Sequence, residues 1–197
     1  MRIAVIFPGI GYNKDMPLLY YSRKMMEHYC SKIVCVEYHD LPMDVKGDEQ
    51  KMWKAANLAY AQVSEQLKDI DFSQYSDIVF IGKSMGTVIA AEYATEHNIN
   101  AMQIWLTPVE ATFSCARVYP DLFRNTIAFI GGADTWSDVE KVKQIAEEQH
   151  ILLKVYPDCN HSLENEWFTV EKKLDVLRSV MAEMHGRLSF YLTRDVF

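Results

Sequence analysis

The chain has 197 residues, 49% of them hydrophobic and 24% charged, which is enough for one domain (1–197) with a sizeable core and an ordinary globular balance. A formal net charge of -7 and the absence of any Lys/Arg run argue against a nucleic-acid partner, which usually meets a basic patch. No stretch approaches the roughly 18 apolar residues of a membrane span. The apolar run after Arg2 stops at Pro8-Gly9, too short for a signal peptide, so a cytoplasmic location is expected.

In chain order, the first β-rich run covers residues 3–7 and ends in a glycine loop, Pro8-Gly9-Ile10-Gly11-Tyr12. That loop lacks the third glycine of a dinucleotide fingerprint and any Gly-Lys-Ser/Thr, so it does not read as a phosphate cradle. A second run covers 33–37. Trp53, Ala56, Tyr60, Val63 and Leu67 then recur at helical spacing. The third run, 78–81, leads into Gly82-Lys83-Ser84-Met85-Gly86 and an alanine-rich stretch expected to be helical by Thr87. A fourth run covers 102–106 and a fifth 126–130, followed by Gly131-Gly132-Ala133-Asp134. Val139, Val142, Ala146 and Gln149 mark the next helix, with Ser137 and Glu140 placed as a capping box. The sixth run, 152–156, is followed by Asp158-Cys159-Asn160-His161 and a last stripe of Trp167, Val170, Leu174, Leu177, Met181 and Met184. Residues 187–197 read as an edge strand, a packed tail or a dimer contact.

The runs are continuously apolar, as for strands covered on both faces, and they alternate with helices. The expectation is an α/β three-layer sandwich with a mostly parallel six-stranded sheet. The four cysteines, Cys30, Cys35, Cys115 and Cys159, form no Cys-x-x-Cys and read as free buried thiols. No cofactor or metal site is expected.

Ser84 lies in G-x-S-x-G. About one chain in twenty of this length carries that pattern by chance, so the strand before it and the helix after it supply the weight. A serine hydroxyl needs a base. Of six histidines, four lie within or at the ends of helices and His39 follows the second strand. His161, in the loop after the last strand, belongs to the same C-terminal sheet edge as Ser84. Its orienting acid is assigned to Asp134 rather than to Asp138, expected within a helix, or Asp158, too near His161 in sequence. With strand order 2-1-3-4-5-6, the glycine loop faces Ser84 across the point where crossovers diverge. The Ile10 and Met85 amides then become the oxyanion donors. Tyr12, Trp105, Trp136 and Leu163, with Phe113 and Tyr119, are candidates to line the substrate cleft.

The order Ser84, Asp134, His161, the strand context and the glycine loop together resemble the α/β-hydrolase superfamily over nearly the whole chain. The resemblance implies Ser84 as nucleophile, His161 as general base and then acid, and Asp134 as its orienting acid. It implies a serine hydrolase acting on a small ester-like acyl substrate. An acyltransferase, thioesterase or peptidase on the same residues, or a non-catalytic binding protein on a hydrolase scaffold, remain alternatives. Departures from the family pattern are two missing initial strands, Pro8-Gly9 in place of His-Gly, and only residues 107–125 where relatives carry a large cap. Serine in place of cysteine sets it apart from the dienelactone-hydrolase type. An open cleft and an acid limb near pH 6.5, the reference histidine value, are expected.

Overall fold

The computed structural model describes residues 1–193. Six strands form one parallel sheet in the order β2-β1-β3-β4-β5-β6. They are β1 (Arg2–Phe7), β2 (Lys32–Cys35), β3 (Asp77–Lys83), β4 (Met102–Leu106), β5 (Thr126–Gly131) and β6 (Leu152–Tyr156). The helices are α1 (Pro17–Met26), α2 (Glu49–Leu67), α3 (Met85–Glu96), the short α4 (Phe113–Val118) and α5 (Pro120–Phe123), α6 (Val139–Glu148) and α7 (Val170–Thr193).

Strand alternation divides the core into two layers. Ala4, Ile6, Val79, Ile81, Ile104, Leu106 and Phe129 face α1 and α7. Ile3, Val5, Phe7, Ile78 and Phe80 face α2 and α3, and Trp105, Ala128 and Ile130 lie on that same side against α4 and α6. Each fully buried large side chain contributes about 1.5–3 kcal/mol, so the two-sided burial of β1, β3 and β4 makes the centre of the sheet its most stable part. From β1 the chain crosses to α1 on one face, and from β3 it crosses to α3 on the other. The crevice between these two strands is therefore the switch point of the sheet.

Several helix faces differ from the sequence expectation. In α2 the buried residues are Ala55, Ala59, Val63 and Leu67, while Trp53 is exposed. Alanines let α2 approach Ala90, Tyr93 and Ala94 of α3 closely, which the bulkier Trp53 face would not. The cap of α6 is Asp138, whose side chain accepts from the Lys141 amide. Ser137 instead donates to the Pro108 carbonyl. In α7 the buried face is Val180, Met184, Leu188, Tyr191 and Leu192, while Val170 and Leu174 are exposed, and Trp167, expected on this helix, lies exposed in the turn before it. Only the later turns reach α1, where Ser22 Oγ, which donates to the Leu18 carbonyl, lies 3.6 Å from Met184 Sδ. The tail through Thr193 is thus a packed helical end rather than an edge strand, and residues 194–197 lie outside the described residues. Among the described residues, no helix is long and apolar enough to cross a membrane. Cys159 is buried and the other three cysteines are half-buried, all of them free thiols.

Candidate active site

Ser84 sits between β3 and α3 with φ 54° and ψ -122°, a conformation that L-residues adopt only under constraint. The constraint is the close packing of strand end and helix start. Its own amide donates to the Leu106 carbonyl at 2.9 Å, and its carbonyl accepts from both the amide and the hydroxyl of Thr87. A Cβ on Gly86 would lie 2.2 Å from the Phe7 carbonyl oxygen, so only glycine lets α3 start against the end of β1. The turn projects the Ser84 hydroxyl over the C-terminal edge of the sheet.

His161 Nε2 lies 2.8 Å from Ser84 Oγ, and His161 Nδ1 lies 2.7 Å from Asp134 Oδ2. A carboxylate only accepts, so Nδ1 carries the proton and Nε2 turns its lone pair toward the serine. The other Asp134 oxygen accepts from the Trp136 amide at 2.8 Å, which holds the carboxylate in place. The His161 loop is fastened to the Asp134 loop by Ala133 donating to the Cys159 carbonyl. Asn160 closes the loop on itself, its side chain accepting from the Ser162 and Glu164 amides.

The glycine loop is a two-residue turn in which Gly9 and Tyr12 exchange backbone hydrogen bonds. A Cβ on Gly9 would meet the Lys83 carbonyl oxygen at 2.9 Å and the Ser84 Cβ at 3.2 Å, so the loop lies directly on the serine turn. Among the described residues, neither the Ile10 nor the Met85 amide donates to a backbone acceptor. Burial dominates the environment of His161 and lowers its pKa from the usual 6.5. The Asp134 hydrogen bond opposes that shift, and the charges of Lys83 and Lys46 add to it.

The remaining residues proposed from sequence divide. Trp136 is exposed at the rim, stacked on His161 with ring centroids 5.5 Å apart, and the Lys46 amine lies 5.1 Å from its ring centre. Trp105 is a correction. It is fully buried on the α3 face between Phe113 and Phe123, because its position in β4 turns it away from the cleft. Phe113 is buried with it, whereas Tyr119 is exposed. Leu163 is also a correction. With φ 55° and 2% exposure it pins the His161 loop into the core. Tyr12 is nearly buried, and its hydroxyl accepts from the Leu18 amide at 3.0 Å, capping α1. Burial pushes its pKa up to about 12.

A cleft of ≈ 640 Å³ runs over the glycine loop, from Gly9, Ile10 and Asn13 to Tyr38, His39 and Met43, and Ser84, Asp134 and His161 are not among its lining residues. It is lined by polar and apolar groups alike. A second groove of ≈ 520 Å³, between Leu152 and Phe190, lies at the opposite edge of the sheet. Among the described residues, no cluster of three or more His, Cys, Asp and Glu side chains could hold a metal ion.

Lys83 carried no signal in the sequence beyond its place in the motif. It is 1% exposed and points to the α1/α7 side of the sheet beneath the site. Its amine donates to Thr107 Oγ1 at 2.6 Å and lies 4.9 Å from the Tyr12 ring centre. Desolvation lowers its pKa from 10.5 to about 7, with Asp134 opposing. Below pH 7 a charged amine is buried on folding. Between about 7 and 10.5 the folded state carries the neutral amine and the unfolded state the charged one, so stability rises with pH across that window. Lys83→Met is therefore expected to raise the melting temperature by several degrees at pH 6, on the order of 2 kcal/mol, and by much less at pH 10. Thermal unfolding at the two pH values checks this; an equal effect at both would exclude the burial cost as its cause.

Comparisons with known proteins agree with this architecture. A family model described as an alpha/beta hydrolase domain matches residues 2–188. A search of curated protein sequences finds no significant match. Among solved structures, a protein of unknown function from Agrobacterium tumefaciens is similar at a TM-score of 0.65 and 15% identity, covering 98% of this chain and 86% of its own. Est1E from Butyrivibrio proteoclasticus, with ferulic acid bound, gives 0.61 and 12%, covering 96% and 90%. A serine hydrolase without lid from Xanthomonas campestris gives 0.58 and 14%, covering 100% and 82%. At these identities the likeness is one of fold.

Proposed function

Because the chain belongs to the alpha/beta hydrolase family, we propose that it is a serine hydrolase cleaving small ester-like acyl substrates through Ser84, His161 and Asp134. The observation that carries this reading is the continuous hydrogen-bonded line from Ser84 Oγ through the imidazole to a buried carboxylate. His161 Nε2 takes the Ser84 proton as Oγ bonds to the carbonyl carbon. The carbonyl π electrons move to oxygen, where the Ile10 and Met85 amides receive the charge, each contributing about 3 kcal/mol to the transition state. Collapse expels the leaving group, which His161 protonates. Water, deprotonated by His161, then attacks the acyl-enzyme and returns Ser84 to its free form. Asp134 keeps the imidazole in the required tautomer and stabilises the imidazolium.

Only the short α4 and α5 stand between β4 and β5, too little chain for a large cap, and the polar groups toward Tyr38 and His39 in the cleft over the glycine loop favour small acyl groups over long alkyl chains. A fluorophosphonate probe is expected to label the wild-type protein at the Ser84 peptide. p-Nitrophenyl acetate is expected to be cleaved faster than the decanoate. The rate should fall with acid, with its half-point below 6.5, since rate is lost as His161 takes a proton. No adduct would leave a binding protein on this scaffold. A preference for decanoate would overturn the small-acyl assignment.

A further inference from the structure

Resting on the reading of Ser84, His161 and Asp134 as a triad, we propose that Lys46 is a specificity-determining residue: its ammonium stands on the leaving-group side of the site and selects esters whose leaving group carries a negative charge, such as a carboxylate. The segment that carries Lys46, between β2 and α2, reaches from the glycine loop to the Asp134 loop. At one end, Met43 Cε lies against the glycine loop, where a Cβ on Gly11 would stand 3.6 Å from it. Val45 is 2% exposed, so the chain is seated there rather than free in solvent. At the other end, Lys46 Nζ donates to Thr135 Oγ1 at 2.8 Å and lies 5.1 Å from the Trp136 ring centre. Trp136 in turn stacks on His161, with ring centroids 5.5 Å apart, and its amide holds the Asp134 carboxylate. The ammonium and the catalytic base thus share one indole.

The charge of Lys46 is left open to a ligand. A lysine has three N–H donors, and Thr135 accepts one of them. Among the described residues no carboxylate pairs with Lys46. Its neighbours in sequence, Asp44 and Asp48, both turn to Lys51, at 3.9 and 3.6 Å. Lys14, the other amine near the glycine loop, is paired with Glu37. Chemistry fixes which part of a substrate meets Lys46. His161 delivers its proton to the leaving group, so that group departs beside the imidazole, while the carbonyl oxygen turns toward the glycine loop and Met85. Groups gathered around His161 and the exposed rim of Trp136 therefore meet the leaving group rather than the acyl chain. An anion there gains a charge-assisted hydrogen bond from Lys46 that a neutral group does not.

The test compares 4-carboxyphenyl acetate with 4-carbamoylphenyl acetate, which share the acyl group and differ in the charge of the leaving group. Both are measured on wild type, Lys46→Gln and Lys46→Arg. Glutamine keeps a donor for Thr135 and loses the charge; arginine keeps both. The ratio of kcat/KM for the anionic ester to that for the neutral one is expected to fall roughly fivefold in Lys46→Gln, the scale of one exposed ion pair. In Lys46→Arg it should stay within about twofold of wild type. An unchanged ratio in Lys46→Gln would overturn the proposal. So would an equal fall in both variants, which would assign Lys46 a fit against Thr135 and Trp136 with no role for charge. A wild-type protein that cleaves neither ester and takes no fluorophosphonate label would instead remove the triad reading. Binding would still decide the role of Lys46. The product 4-hydroxybenzoate, unlike 4-hydroxybenzamide, is expected to shift the Trp136 indole NMR signal in wild type and Lys46→Arg but not in Lys46→Gln, and the absence of that difference would overturn the proposal.

Discussion

Ser84→Ala is expected to abolish hydrolysis and fluorophosphonate labelling while leaving the fold intact. Removing the nucleophile of such a triad costs roughly four to six orders of magnitude, because what remains is binding and oxyanion stabilisation without a covalent route. Ester turnover and intact-protein mass spectrometry measure the loss, and residual activity within tenfold of wild type would sink the assignment. A second substitution separates chemistry from stability. Ser84 is held at φ 54°, ψ -122°, and an L-residue there costs about 1–3 kcal/mol. Alanine inherits that strain and glycine does not. Ser84→Gly is therefore expected to be as inactive as Ser84→Ala but more stable by about 1 kcal/mol, read as a rise of a few degrees in melting temperature. Equal stability of the two would mean that the turn stores no strain.

Gly86→Ala is expected to be severely damaging. Its Cβ would stand 2.2 Å from the Phe7 carbonyl oxygen and 2.3 Å from that of Pro8. Phe7 is held in register by β3, which pairs with β1 from Arg2 to Phe7, while β2 pairs from Ile3 to Ile6, and Pro8 follows directly. Relief requires α3 to lift from the sheet, which moves the Met85 amide, or the end of β1 to shift, which moves the glycine loop. The cost is about 4 kcal/mol or more against a total of 5–15, a drop of about 10 °C or more in melting temperature. Activity should fall in the molecules that still fold. Gly186 is the contrast: a Cβ there meets nothing within 4 Å, and it lies inside α7. Gly186→Ala is expected to stabilise by about 0.5–1 kcal/mol, from helix propensity alone. If Gly86→Ala melted like Gly186→Ala, the close approach of α3 to β1 would be wrong.

Much of the sheet was legible because its inner strands β1, β3, β4 and β5 are buried on both sides and read as continuous apolar runs. The helix faces were less so. The stripe from Trp167 to Met184 has helical period, yet period fixes neither where a helix starts nor how far it extends past the body it packs on: Trp167 lies in the turn before α7, and Val170 and Leu174 on its first turns remain in solvent. Trp105 could have been set aside from sequence: strand alternation places it opposite Ile104 and Leu106, on the face away from Lys83. Leu163 could not, because its loop folds inward through a positive φ that no local pattern marked.

The sequence by itself determined the order of the strands' chemistry: a serine at a glycine-bounded turn, then an aspartate, then a histidine, each just past the end of a β-rich run. Apolar patterning and turn residues are local, so they survive in one dimension. What the tertiary structure alone decided is which groups share an environment. Lys83 occupies an unremarkable motif position until the segments after β1 and β4 close around it, and only then do Tyr12 and Thr107 meet its amine. Burial and electrostatic coupling are properties of the space between segments far apart in the chain.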